Sequence, residues 1–273
     1  MEIDNSHIHG TASSQFSYKS PQEWSKQFPT CGGRRQSPIN IDSRNSQIKE
    51  YPPIRFNGYG KAPRSMNVTN DGHTVEITTT WANQEVPTIS GGPLNGPYEF
   101  EEVHFHWGNN NHVGSEHTIN GRQFSLEMHV VHFRKSYGTF TEALKHGDGI
   151  AVLGYIFFGT SNSDNNEGIR RLLRSTAPQQ AFGPGESELI SPFPLTFFNL
   201  DFTRKGYYTY LGSLTTPPCT ESVIWLVPKS IRNIDSRELA AFRSFPLDNE
   251  DDHDYRPVRP LNGRSVFSVR GIK

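Results

Sequence analysis

Hydrophobic positions along the chain gather into short runs rich in Val, Ile, Phe and Tyr, each bounded by Gly, Pro or Asn, and this punctuation predicts β-strands. The runs are Tyr98 to Trp107, Gln123 to Phe133, Ile150 to Phe158, Gly206 to Leu211 and Ser222 to Val227. A further strand over Thr74 to Thr80 follows the turn signature Asn70-Asp71-Gly72-His73, which places His73 at the mouth of that strand. Helical spacing is confined to Glu167 to Ser175, with Ile169, Leu172 and Leu173, and to Ser236 to Phe245, with Leu239 and Phe242. Trp24 to Pro52 is turn-rich. Residues 1–15 are small and polar without periodicity, which predicts a flexible tail. With no internal repeat, low-complexity segment or linker, 16–273 reads as one mainly β domain, built on a large mixed sheet with short peripheral helices.

Charge narrows the partners. Lys and Arg number 27 against 28 Asp and Glu, a formal net charge of −1, so nothing electrostatic points to nucleic acid or an anionic membrane. No apolar run approaches the length of a transmembrane helix. The two cysteines, Cys31 and Cys219, sit in no close-spaced metal pattern, and spacing alone leaves open whether they are separate buried thiols or a pair. Asn67-Val68-Thr69 is a glycosylation sequon. The N-terminus as written lacks the basic and apolar regions of a signal peptide, which leaves a removed signal or a cytosolic protein.

The chemistry lies in Val103-His104-Phe105-His106-Trp107-Gly108 and Glu127-Met128-His129. Side chains two apart on a strand project from one face, so His104 and His106 point together, and a neighbouring strand can bring His129 to meet them. Three neutral imidazoles with no fourth protein ligand leave one tetrahedral position of a zinc ion open, the arrangement of a catalytic site. A lone strand histidine is more often a packed residue than a ligand; the His-x-His spacing and the third histidine change that balance. Glu127, two before His129, can accept that ligand's other ring N–H. His132 faces the opposite way, and His112, His117, His146 and His253 have no such spacing argument. Gly212 to Pro218 is a rigid loop with two hydroxyls, Thr215 and Thr216, and a Thr beside zinc-bound hydroxide can accept its proton and aim its lone pair.

Taken with Gln36-Ser37-Pro38-Ile39-Asn40-Ile41, Gly114-Ser115-Glu116-His117-Thr118, Ala151-Val152-Leu153-Gly154 and Arg256-Pro257, these segments give a chain that resembles the α-class carbonic anhydrases of the extracellular type over most of its length. The resemblance implies a central, twisted, mostly antiparallel sheet and a conical cleft, one zinc ion per chain, and reversible hydration of carbon dioxide to bicarbonate by zinc hydroxide. It implies zinc ligation by His104, His106 and His129, a hydrogen-bond gate of Thr215 and Glu116, and proton export through His73 with Tyr18 ordering the intervening water. It further implies an apolar wall of Val131, Val152, Leu214, Val223 and Trp225, with Thr216 beside it, and inhibition by sulfonamides and anions. Cys31 and Cys219 match a pair that is bridged in extracellular members, so a disulfide and a secreted or cell-surface protein, glycosylated at Asn67, are expected. Three departures stand out. Glu102 replaces a common Gln beside the first ligand and should make His104 more electron-donating, Asp71 and Glu76 add negative charge near His73, and Phe16 replaces a Trp and should alter packing more than chemistry.

Three other classes compete, one of them an extracellular matrix protein of mineral deposition, for which the chain has no acidic or Gly-Asn repeat. A catalytically silent binding module would have lost a ligand, and none is missing. An ester hydrolase fits a narrow Val-lined pocket poorly.

Overall fold

A computed structural model describes residues 16–161, 163–176, 182–202 and 205–271, so the tail expected over 1–15 lies outside the described residues. Ten strands run in an unbroken ladder: β1 (Gln47–Ile48), β2 (Ser65–Asn70), β3 (Val75–Thr80), β4 (Tyr98–Trp107), β5 (Leu126–Arg134), β6 (Ile150–Thr160), β7 (Ser187–Ile190), β8 (Tyr207–Gly212), β9 (Val223–Pro228) and β10 (Phe267–Val269). Their spatial order is β7-β2-β3-β4-β5-β6-β9-β8-β10-β1 within a thirteen-stranded sheet. Along this ladder β6 pairs with β9, and β10 with β1, in parallel, and the other neighbours are antiparallel. The expected mainly β architecture, a large and mostly antiparallel central sheet, is the one observed.

Side chains alternate between two apolar layers. Val103, Phe105, Trp107, Leu126, Met128, Val130, Ala151, Leu153, Tyr155 and Leu226 enter one cluster, while Val131, Phe133, Ile150, Val152, Ile156, Val223, Trp225 and Val227 enter another. The second layer shares its face of the sheet with the histidines.

In β4 the alternation is broken once, on purpose. The register between β4 and β5 slips between Phe100 and Glu102, leaving Glu101 as the extra residue of a bulge. Tyr98 and Phe100 pack into the same cluster as Val103 and Phe105, an exchange of even for odd positions. Glu102, His104 and His106 are thereby freed from the core face and turned towards the second layer. Without the extra residue, Tyr98 and Phe100 would share a face with the histidines.

Helix α1 (Glu167–Thr176) matches its sequence expectation, but α2 (Ser236–Phe242) stops three residues early. Pro246 disfavours helix at Phe245, and the chain closes in turns from Arg243 onwards. At its start Asp235 and Glu238 form a reciprocal capping box. β5 likewise begins at Leu126 rather than Gln123, because Phe124 exchanges backbone and hydroxyl bonds with Ser115 instead of its strand neighbour.

Candidate metal centre

In β4 and β5, His104 lies directly opposite His129, and Glu127 opposite His106. That pairing brings the three imidazoles together: His104 Nε2 and His106 Nε2 stand 3.0 and 3.1 Å from His129 Nδ1. Their outer nitrogens are engaged elsewhere. His106 Nδ1 donates to the carbonyl of Asp254 at 2.8 Å, which leaves Nε2 with a bare lone pair in the neutral ring. His129 Nε2 donates to Glu127 Oε1 at 2.8 Å, and His104 Nδ1 meets Glu102 Oε1 at 2.8 Å.

Burial keeps all three rings neutral, lowering His104 to about 4, bringing His106 down and holding His129 well below the usual histidine range. Lone pairs crowded to about 3 Å with no proton between them repel unless a cation sits among them, and neutral imidazole nitrogens are what zinc takes. The donor set therefore fits zinc.

Glu127 is fully buried and holds four donors. Oε2 accepts the backbone N–H groups of Glu116 and His117 at 3.0 and 2.8 Å, and Oε1 accepts from His129 and from His117 Nδ1 at 2.7 Å. Burial alone would push its carboxyl up; His117 and His129 outweigh that and hold it well below the ordinary range. His117, Glu127 and His129 also lie close enough together to suggest a second metal group. Each contact there is a hydrogen bond already filled by a proton, so the trio is a relay.

From His117 the relay continues. Tyr210 donates to His117 Nε2 at 2.7 Å and accepts from Ser37 at 2.9 Å; Ser37 Oγ accepts the N–H of Ser213 at 3.0 Å, and Ser213 Oγ donates to the Leu214 carbonyl at 2.7 Å. A chain of fixed bonds thus joins the third imidazole to the loop that carries Thr215 and Thr216. His117, Tyr210, Ser37, Arg256 and Asp254 all escaped assignment from the sequence. His117, Ser37 and Arg256 sat in matching segments, but only the tertiary pairing gives them a task.

Glu116 is buried beside the imidazoles, with Oε2 3.4 Å from His106 Nε2. Oε1 accepts the N–H of Arg256 at 2.9 Å, and Oε2 finds no hydrogen-bond partner among the described residues. Burial pushes its carboxyl up, His106 pulls part of the way back, and the nearby Thr215 side chain adds a smaller pull. Burial, with Asp71 alongside, also pushes Glu102 well above the ordinary range. Val131, Val152, Val223 and Trp225 pack in one cluster with Leu214 against it, and Trp225 lies edge-on to His129 at 4.8 Å.

His73 sits in the β2–β3 hairpin, where Asp71 Oδ1 accepts the N–H groups of His73 and Thr74 at 2.8 and 2.7 Å. Its ring stacks on Phe16 at 3.8 Å and 19°, and Tyr18 lies 6.4 Å away. The Phe16 departure therefore places its ring directly against His73.

A family model for eukaryotic-type carbonic anhydrases matches residues 19–270. The chain belongs to that family. As a carbonic anhydrase it is a zinc-dependent enzyme of carbon dioxide hydration. Among curated carbonic anhydrases, carbonic anhydrase 7 of Mus musculus is 37% identical over 260 residues, covering 90% of this chain and 92% of its own. Carbonic anhydrase 7 of Homo sapiens is 36% identical with the same coverage. Carbonic anhydrase 3 of Homo sapiens is 31% identical over 262 residues, covering 92% and 95%.

These relatives correct one expectation. Carbonic anhydrases 7 and 3 are cytosolic, which stands against a secreted or cell-surface protein and against reading it as a glycoprotein. Cys31 and Cys219 do form a disulfide, yet a single bridge is a weak compartment signal. The Asn67 sequon lies mid-strand in β2, where its amide donates to Thr69 and Ser187 at 3.2 and 2.6 Å. No helix among the described residues is long and apolar enough to cross a membrane.

Proposed function

We propose that residues 16–273 act as one catalytic domain that interconverts carbon dioxide and bicarbonate, with zinc held by His104, His106 and His129. The observation that carries this is the convergence of three bare imidazole nitrogens whose outer nitrogens are each tied to an acceptor. Zinc, when bound, supplies the Lewis acidity that makes water a nucleophile at neutral pH.

The protein's residues do the rest. Glu102, Glu127 and the Asp254 carbonyl fix tautomer and ring orientation. Thr215, facing the buried Glu116 carboxyl, presents its hydroxyl oxygen as an acceptor and selects ligands that carry a proton. Val131, Val152, Leu214, Val223 and Trp225, with Thr216 at the edge, hold a small apolar substrate and exclude water from its carbon. Sulfonamides and anions would inhibit by taking the place of water on zinc beside Thr215. His73 carries the product proton outward past Tyr18.

Stopped-flow hydration from pH 6 to 9, with metal analysis, tests this. Fast, zinc-dependent turnover that falls in His73→Ala and recovers with added imidazole is the expected result. One zinc per chain without hydration would overturn it.

A further inference from the structure

Tyr18, a neighbour of His73, also stands beside a second imidazole that spacing gave no reason to single out. His253 lies 6.3 Å from the ring of Tyr18, the same tyrosine that stands 6.4 Å from His73. It also packs against Tyr255 at 4.7 Å. Its Nδ1 donates to Asp252 Oδ1 at 2.6 Å, and Asp252 Oδ2 accepts from the Asn109 amide at 2.8 Å, so the carboxylate that orients the ring is itself pinned. The His253 side chain is 22% exposed and Asp252 62%, which opens the pair to solvent.

On the inner side, the Tyr18 hydroxyl and His73 Nδ1 are buried without a partner among the described residues. The segment is held in place: Asp251 accepts the Tyr18 N–H at 2.9 Å, and the carbonyl of Asp254, next after His253, receives His106. The charged and titratable groups near His253 include Asp252 and Asp254 on either side of it in the chain, Tyr18 and Tyr255 against its ring, and Asp251 behind Tyr18.

From this placement we propose that His253, oriented by Asp252, is a second proton-transfer group serving the same centre as His73. The inference rests on the hydration reading above. With Nδ1–H committed to Asp252, Nε2 is the nitrogen left to take a proton from water as the ring becomes imidazolium, and buffer base removes one from the exposed side. A carboxylate-braced imidazole at the surface is suited to this exchange. His253 touches neither substrate nor metal, so its loss should slow proton export alone.

The test compares the zinc-loaded wild type, His73→Ala, His253→Ala and the double variant in dilute and concentrated buffer. The expected result is that the double variant loses at least about another tenfold in kcat relative to His73→Ala in dilute buffer. This loss should leave kcat/KM level and be rescued by free imidazole, and Asp252→Asn in the His73→Ala background should show part of it. A double variant indistinguishable from His73→Ala overturns the inference, as does a parallel fall of kcat and kcat/KM in His253→Ala, which would mark a structural effect. A wild type that binds zinc but does not hydrate carbon dioxide strikes the parent reading instead.

Discussion

Glu127 concentrates the most consequence in one side chain. Truncating it leaves the ring N–H groups of His117 and His129 and two backbone N–H groups without their acceptor, all of them buried. We expect Glu127→Ala to weaken zinc binding by about 10–100-fold, measured by chelator competition, and to cost about 2–4 kcal/mol in denaturant unfolding. Gly154 makes the same point from outside the site. A Cβ there would meet Glu127 Oε1 at 2.9 Å and Trp225 at 3.5 Å, so Gly154→Ala should displace the carboxylate. A loss of about 1–3 kcal/mol in stability is expected, together with a faster zinc off-rate. Unchanged zinc release would show that Glu127 has room to move.

At the scale of elements, the bulge in β4 sets up a pH effect. Burial, with Glu102 and Glu99 adding to it, pushes the Glu101 carboxyl up to about 7. A carboxyl raised in the folded state holds its proton longer than in the unfolded chain, so its share of stability is present at low pH and fades between about pH 4.5 and 7. Glu101→Gln should therefore change little at pH 4.5 and stabilise the protein at pH 8 by about 1–2 kcal/mol, read by urea unfolding at both pH values. The opposite sign belongs to His132, on the core face of β5. Burial lowers it to about 3, against the donation its ring makes to the Ala151 carbonyl. Its unfolded form gains a proton first, so its contribution is full above about pH 6.5 and is lost towards pH 3. His132→Gln should flatten that acid limb, and an unchanged slope would assign acid sensitivity elsewhere.

For the whole molecule, Cys31 and Cys219 join positions 188 residues apart, tying the segment of Phe16, Tyr18 and Trp24 to the loop after Thr215. Closing so long a loop restricts the unfolded chain, and reduction should lower the unfolding free energy by up to about 5 kcal/mol on the chain-entropy account. Guanidinium melts with and without reductant, on zinc-loaded protein, measure it. A negligible shift would show that the unfolded chain keeps these ends together.

Much of the centre was legible beforehand because strand periodicity is local. His104 and His106 share a face by a two-residue step, Glu127 and His129 by another, and no distant residue is needed to establish either. The parity change at Glu101 was not legible, since a bulge is decided by how two strands pair rather than by the residue inserted. Nor were the partners of the centre. His106 meets Asp254 across 148 positions, Glu116 meets Arg256 across 140, and Ser37 meets Ser213 across 176. His253 beside Tyr18 belongs with them. The sequence by itself determined which side chains could hold a metal, because ligand spacing is written in backbone geometry. Only the tertiary structure decided what braces those ligands and which side chains gather around Tyr18, because contacts between remote segments form when the sheet closes and leave no period in the chain.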